Sequence, residues 1–437
     1  MDHDMTGMEV TTGAETGLWG ASLTERAATV PLDTDLTVDF AIIGAGFTGC
    51  AAALEASRLG ASVAVLEART VGFGGSGRNV GLVNAGLWLP PETIIAQMGG
   101  SDGRRLIDAL GAGPDRVFEI IERESIDCEA TRAGTLHLAH TPSGKADLRR
   151  RHRQANAFGS VLHLLNSDEA RRRTGSSVFH GALWNPKAGT IQPLAYCHGL
   201  ARAAMRIGAR IYSDTPVQAA EWRDGVWVLR SGQYIVRARA LLQATNAYDT
   251  AWTQCDAPRY VTVNYSQFAT VPLPAEALQT VLPGKEGCWD TALVMSSIRL
   301  DRSGRLIIGG MGNSNSRAGR IHAGWARRKL KALYPALADI PFEHEWSGRI
   351  AMAADHLPKV QVLGPSGLSI FGYSGRGIAP GTVFGSAAAR YLVNKDETAL
   401  PLPVSDDHSE TMTGARAAYY ELGATIVHAL GARFRVI

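Results

Sequence analysis

The chain has 437 residues, of which 45% are hydrophobic and 19% charged, and a formal net charge of +3. That length holds two or three domains of usual size, and the composition excludes a disordered or fibrous protein. Basic residues are scattered, which argues against a nucleic-acid partner.

Residues 1–35 lack the basic n-region and apolar h-region of a signal peptide, and no apolar run reaches the ~18 residues of a membrane span. A cytoplasmic location is therefore expected. The cysteines Cys50, Cys128, Cys197, Cys255 and Cys288 are odd in number, widely spaced and without a C-x-x-C pair. This suits a reducing compartment with no disulfide framework. No residue group has zinc-type spacing, and His344 in "FEHEW" reads as structural, so no metal site is expected. The runs Arg149–Arg151 and Arg171–Arg173 read as solvated helix faces.

The first structured signal is "DFAIIGAGFTGCAAALEASRLGASVAVLEAR", Asp39–Arg69. Phe40–Ile43 reads as a buried parallel strand. Gly44, Gly46 and Gly49, with Phe47 and Thr48 between them, spell G-x-G-x-x-G. Gly44 permits a tight turn, Gly46 lets backbone approach a pyrophosphate, and Gly49 lets the next helix pack on the strand. That helix, about Thr48–Leu59, aims its N-terminal N–H groups at phosphate oxygens. Gly60 caps it, Ser62–Leu66 forms the second strand, and Glu67 ends that strand with a carboxylate suited to ribose hydroxyls. A 2′-phosphate would be repelled there, although Arg69 nearby weakens that argument. NAD and FAD share the half-molecule this turn binds, so the turn alone does not separate them.

A second glycine cluster follows, "VGFGGSGRNVGLVNAG", Val71–Gly86. Within it Gly75, Ser76, Gly77, Arg78 and Asn79 form a loop able to donate backbone N–H groups to an extended cofactor. Residues 91–170 are mostly helical in pattern, with "RAGTLHLAH" as a strand. Next come a helix from about Pro193 to Ile207, a hairpin, an apolar strand at Ala240–Ala244, and a strand-rich block from Tyr260 to about Ile308. "AGWARRKLKALYPAL" is a helix, and another is expected near Thr411–Leu430. In "FGYSGRGIAPGTVFG", Phe371–Gly385, an apolar strand runs into a glycine turn and a helix starting near Thr382. Such a helix terminus stabilises negative charge on a reduced flavin, a use NAD does not have.

Taken together, "AIIGAGFTG…LEA", "GFGGSGRN", "ATNAY" and "WSGRIAMAADHLP…GYSGRGIAPGTVFG" resemble the glycine oxidase/D-amino acid oxidase-like (DAO) family of FAD enzymes over nearly all of residues 35–395. The late segment is similar to L-pipecolate oxidase and γ-glutamylputrescine oxidase-like enzymes. The resemblance implies an α/β (α+β) fold with a Rossmann-type FAD-binding domain and an inserted, mixed-sheet substrate domain. The FAD-binding domain is expected at 36–105, 187–250 and 345–395, and the substrate domain at 106–186 and 251–344. An N-terminal extension (1–35) and a C-terminal helical tail (396–437) complete the chain.

Expected cofactor contacts, besides Gly44, Gly46, Phe47, Thr48, Gly49 and Gly75–Asn79, are Glu67, Ala68, Arg69, Val217, Thr245, Asn246, Gly375, Arg376, Gly377 and Ile378. Relatives that bind flavin covalently use a late-strand cysteine or an early-loop histidine. Ala351–Ala354 and Gly74–Asn79 hold neither, so noncovalent FAD is expected. Relatives also place a lysine near the flavin for oxygen activation, and the matching position here is Ile307, with Arg305 close by.

The implied reaction is oxidation of a C–N bond in a small amine, amino acid or imino acid, with hydride passing to flavin and O2 as acceptor. The alternative acceptor is a quinone, an electron-transfer protein or a partner subunit; a homo-oligomer is a further possible partner. A non-catalytic flavin-stabilised subunit is a third reading. Arg376 is the candidate for fixing a substrate carboxylate or supporting the anionic reduced flavin. Arg349 is either a second carboxylate ligand or an ion-pair partner of Asp355 or Glu345. Tyr265 and Gln267 in "VNYSQF" share one strand face, which either lines the substrate pocket or is a half-buried sheet face. Tyr373 beside the late turn is a further candidate for touching substrate.

Overall fold

The computed structural model describes residues 16–249 and 259–431. Strand Leu36–Ile43 is the centre of the first sheet. It pairs in parallel with Val63–Leu66 on one side and Tyr234–Gln243 on the other. Arg210–Tyr212 adds a parallel strand at one edge and Gly367–Phe371 at the other, and Lys359–Gly364 closes that edge antiparallel. The central strands are nearly continuous apolar runs because both faces are covered: helices pack on one, and strand Val226–Ser231, through Trp227 and Leu229, packs on the other. These helices include Phe47–Arg58, Pro193–Arg206 and Ile378–Val393. The expected hairpin is present: Val226–Ser231 pairs antiparallel with Tyr234–Gln243, a single strand that includes most of the apolar run expected separately at Ala240–Ala244. A second hairpin, not read from the sequence, joins Ala219–Arg223 to Val226–Ser231 through Asp224 (φ 51°) and Gly225 (φ 82°), both in the left-handed region that two-residue hairpin turns favour.

The second sheet has eight strands in the order 342–352, 261–272, 305–311, 296–300, 287–290, 135–138, 182–185, 163–165. All neighbours are antiparallel except Gly287–Asp290 with Thr135–Leu138, so the sheet is mixed.

Three details differ from the sequence expectations. The late helix starts at Ile378, one turn before Thr382, with Gly377 at its N-cap. Pro380 falls in the first turn, where its missing N–H has no intrahelical partner to lose, so a proline that reads as a break is tolerated. The changeover expected at 105/106 falls inside helix Gly100–Gly111. That helix and Gly113–Arg123 bury Leu106, Leu110, Val117 and Phe118 in the core beside the parallel sheet. The changeover expected at 345 falls inside strand Phe342–Met352 of the mixed sheet. The one expected at 250/251 lies outside the described residues, as does Cys255.

The arginine runs are not only solvated faces. Arg151 donates to the Trp88 carbonyl (2.8 Å), and Arg173 bonds the buried Glu286 (2.5 Å). Cys50 packs in the core, as read from the sequence.

Residues 16–23 of the N-terminal extension are structural. Trp19 is fully buried, and its Nε1 donates to the Asn79 carbonyl (2.8 Å). Its ring meets Trp346 edge-on (centroids 5.8 Å), and Trp346 Nε1 donates to the Arg78 carbonyl (3.0 Å). Two indoles thus hold the backbone of the early glycine loop from below. Trp19→Ala is expected to cost about 3–5 kcal/mol of stability by leaving a cavity, read as a lower melting temperature, whereas Trp19→Phe keeps most of the volume and loses one hydrogen bond, worth about 1 kcal/mol. Equal melting temperatures for Trp19→Ala and the parent would contradict this role.

Candidate active site

A cavity of about 940 Å³ runs from the first glycine turn to the face of the mixed sheet. It lies near the upper end of the ~300–1,000 Å³ usual for one drug-sized ligand. One end is the G-x-G-x-x-G turn. Gly44 has φ 99°, which glycine adopts without strain. A Cβ on Gly49 would strike the Gly44 carbonyl, so Gly49 serves helix-to-strand packing and does not line the cavity. Gly46 does line it, and a Cβ there would stand 2.9 Å from Ser76 Oγ, which accepts a hydrogen bond from the Phe47 N–H (3.0 Å). The helix has no side-chain N-cap, and its start at Gly46, Phe47 and Thr48 lines the cavity.

At the end of the second strand, Glu67 accepts hydrogen bonds from the N–H groups of Ala45 (2.8 Å) and Arg69 (3.0 Å). Burial pushes its carboxyl pKa up, and these two donors oppose that shift. The early loop is a 3₁₀ turn over Gly75–Gly77, tied by Asn79, whose Nδ2 donates to the Gly75 and Ser76 carbonyls. Arg78 stacks over Phe73 (4.3 Å to the centroid), and its buried Nη1 has no hydrogen-bond partner. A buried guanidinium nitrogen at a glycine-lined wall fits an anionic or carbonyl-bearing ligand.

The late turn brings a second helix terminus to the same cavity. Gly375, Gly377 and Ile378 line it, and the Ile378 helix also lacks a side-chain N-cap. Ala68, Val217, Thr245 and Asn246 complete the wall. Of the cofactor contacts expected from sequence, Gly49, Gly77 and Arg376 are not on the wall. A Cβ on Gly77 would strike the Gly72 carbonyl, so this glycine serves loop packing.

At the other end the mixed sheet presents Tyr265 and Gln267 to the cavity. Tyr265 Oη donates to Ser297 Oγ (3.2 Å), and burial raises its pKa. Gln267 Oε1 is buried without a partner. Gly309 lies opposite Gln267, where a Cβ would fall on Gln267 Oε1 and 2.6 Å from Ser297 Oγ, so the missing side chain makes room for these groups. Trp289 joins the wall with its Nε1 buried and unpaired. Ile307 is fully buried against Trp19 and Trp346 and is not on the wall.

The arginines are arranged differently from the sequence expectation. Arg376 stands behind the wall, its guanidinium 4.3 Å from the Trp88 centroid and 5.4 Å from that of Trp289, both of which do line the cavity. Its Nη1 donates to the Ala85 carbonyl (2.9 Å), and its Nε is buried without a partner. Burial, with the charge of Arg151, pushes its pKa down to about 9, so it remains a cation at neutral pH. In the turn, Gly375 and Gly377 are on the cavity surface and the arginine between them is behind it. Arg349, by contrast, is on the wall, 4.4 Å from the Tyr248 centroid, while Asp355 pairs with Lys359. Tyr373 lines the cavity, but its hydroxyl is shared with Thr48 Oγ1 (2.8 Å) rather than turned to the mixed sheet.

Sequence reasoning missed Trp88, Trp289 and Gly309, and the cavity-lining face of helix Thr413–Leu430. "ATNAY" pointed to the Tyr248 region, but isolated tryptophans carry no local pattern. Among the described residues no cluster of three or more His, Cys, Asp or Glu side chains is placed to hold a metal, and no helix is long and apolar enough to cross a membrane.

Comparison with known proteins agrees with this geometry. The DAO family model, described as FAD dependent oxidoreductase, matches residues 39–391. The gamma-glutamylputrescine oxidoreductase of Escherichia coli (strain K12) is 27% identical over 416 residues, spanning 92% of this chain and 97% of that one. The probable oxidoreductase OrdL of Haemophilus influenzae is 28% identical over 373 residues, spanning 84% and 85%. The solved structure of glycine oxidase from Geobacillus kaustophilus superposes with a TM-score of 0.71 at 21% identity, over 85% of this chain and 99% of that chain. The mixed α/β architecture, the two converging helix termini and the matched residues together place the chain in the DAO family of FAD-dependent oxidoreductases.

Proposed function

We propose that this protein oxidises the C–N bond of a small amine, amino acid or imino acid to an imine, with FAD held noncovalently and O2 as the acceptor. The observation that carries the reading is the unpaired Gln267 Oε1, buried on the mixed-sheet wall of the same cavity that holds the glycine turns. An amine N–H is the complementary partner for a buried amide oxygen. The carboxylates among the described lining residues are Glu67, bonded to backbone N–H groups, and Asp249, paired with Arg259. Neither lies beside Gln267 in sequence or sheet, and the buried Asp290 of the same sheet is already paired with Lys329, so desolvation favours the neutral amine with its lone pair available.

Bound FAD supplies the hydride acceptor of such a reaction. The chain's own contribution is to hold and orient. The turn at Gly44–Thr48 and Glu67 would bind the ADP half, Arg78 and the Gly75–Gly77 loop the middle, and the Ile378 helix terminus the end where negative charge grows. A helix terminus supplies about 0.3–1 kcal/mol to a nearby anion, and up to ~2 kcal/mol when partly buried. Gln267, Tyr265 and Ser297 would orient the amine.

A second reading keeps the chemistry and changes the acceptor to a quinone, an electron-transfer protein or a partner subunit. It draws on Ile307, an apolar residue sealed under Trp19 where the resemblance implies a lysine, and on the described cavity wall, which contains no lysine. Rapid reoxidation of reduced enzyme by O2 favours the oxidase; slow reoxidation that an artificial quinone accelerates favours the second.

Anaerobic mixing with a panel of amines and amino acids should bleach the flavin with at least one of them; no bleaching with any would defeat the C–N reading. Acid precipitation should leave the yellow cofactor in the supernatant, because the described wall carries no cysteine and one histidine, His356. Flavin in the pellet of the parent but not of His356→Ala would identify a covalent link instead. Glu67→Ala removes charge-assisted hydrogen bonds to ribose worth roughly 1.5–3 kcal/mol each, and should raise the FAD dissociation constant at least tenfold; an unchanged constant would place the ADP half elsewhere. Arg376→Met removes a desolvated cation–π contact worth about 2 kcal/mol. It should slow anaerobic flavin reduction tenfold or more by loosening Trp88 and Trp289, with FAD occupancy kept, and a rate within threefold of the parent would show that the arginine serves packing alone.

A further inference from the structure

The match to the DAO family ends at residue 391, yet helix Thr413–Leu430 beyond it forms part of the cavity wall. Tyr420, Gly423, Ala424 and Val427 recur at the i, i+3, i+4, i+7 spacing of a single helix face, and all four line the cavity. The helix is fastened to the strands that bear the candidate substrate groups. Glu421 accepts hydrogen bonds from Asn264 Nδ2 (3.1 Å), next to Tyr265, and from the Asn313 N–H (2.9 Å), two residues after Met311. Further along, His428 stacks on Trp325 (centroids 4.0 Å, 11° between planes) and shares a hydrogen bond with His322 (2.8 Å). These contacts fix which helix face looks inward, and that face carries no charge.

Leu293, Val294 and Met295, in the loop between strands Gly287–Asp290 and Ser296–Leu300, line the same cavity. Leu293 is 95% exposed and Tyr419 on the helix is 74% exposed, so both segments bring a lining apolar side chain out to solvent. Exposed large apolar side chains that converge on one opening mark a binding surface.

We propose that the C-terminal helix and the 293–295 loop form an arm-binding subsite, and that the substrate is an amine or amino acid bearing an extended alkyl or aryl arm. The proposal rests on the C–N oxidation reading for the head of the substrate, while the arm is read by this subsite alone. Each methylene transferred from water to an apolar wall is worth about fourfold in affinity.

The test separates arm from head. FAD-loaded protein is titrated with acetamide, hexanamide and 2-phenylacetamide, neutral ligands without an oxidisable amine, and binding is followed by the flavin visible spectrum. Methylamine, hexylamine and 2-phenylethylamine are run alongside in anaerobic flavin reduction. The parent is expected to bind the two long-arm amides at least 30-fold more tightly than acetamide. A Cβ on Gly423 would meet nothing within 4 Å, so Gly423→Leu fills the subsite without disturbing the helix. It should weaken the long-arm amides at least tenfold and leave acetamide within twofold. Val427→Thr, nearly equal in volume, should weaken them several-fold and serves if Gly423→Leu melts early.

A gradient that Gly423→Leu or Val427→Thr removes, with no amine reducing the flavin, would uphold the subsite and defeat the oxidation reading. Flavin reduction by amines with no dependence on arm length, and no effect of either variant on amide binding, would overturn the subsite and leave the oxidation reading intact.

Discussion

The arrangement depends on how closely two helices approach at their N-termini. A Cβ on Gly385 would strike the Thr48 carbonyl, and one on Gly381 would stand 3.1 Å from Thr48 Oγ1. Glycine at 385 is required for helix Ile378–Val393 to lie against helix Phe47–Arg58, and glycine at 381 keeps the contact with Thr48 uncrowded. The bond between Tyr373 and Thr48 then ties the late turn to the first helix. Two uncapped helix starts consequently open on one cavity, although some 330 residues of chain separate them. Each carries a partial positive charge from its unpaired N–H groups. A long ligand with phosphates at one end and a ring that gains electrons at the other suits such a pair, which is why the glycines and the cofactor chemistry belong to one argument.

The mixed sheet supplies what the parallel sheet does not. Its strand Val261–Pro272 offers polar groups to the cavity at Tyr265 and Gln267, while its neighbour gives up a side chain at Gly309 to accommodate them. Trp88 and Trp289 extend this wall, held in place by the Arg376 cation behind them. A desolvated guanidinium against two indoles fixes rings without placing a charge at the surface of the pocket. The same logic runs through the N-terminal segment, where Trp19 and Trp346 fix the early loop through its carbonyls.

Much of the cofactor side was legible from sequence because its chemistry needs residues at fixed local spacing. Gly44, Gly46, Gly49 and Glu67 follow one strand–turn–helix–strand unit, and period-2 alternation put Tyr265 and Gln267 on one face. What was not legible depends on contacts between distant segments. Nothing local tells Arg376 to turn behind Trp88, or tells the helix to begin at Ile378 rather than near Thr382. Trp19 and helix Thr413–Leu430 lie outside the glycine-rich signatures altogether. Their partners, Asn79 for the one and Asn264 and Asn313 for the other, are 60, 157 and 108 residues away in the chain.

The most direct test of the central claim is an experimental structure of the FAD-loaded protein. The account predicts that the pyrophosphate lies against the N–H groups of the Gly46–Thr48 turn, the ribose against Glu67, and the isoalloxazine ring between the Ile378 helix terminus and the Gln267 face, with no bond from the ring to protein. A ring bound on the far side of the mixed sheet, or a ribose away from Glu67, would contradict it.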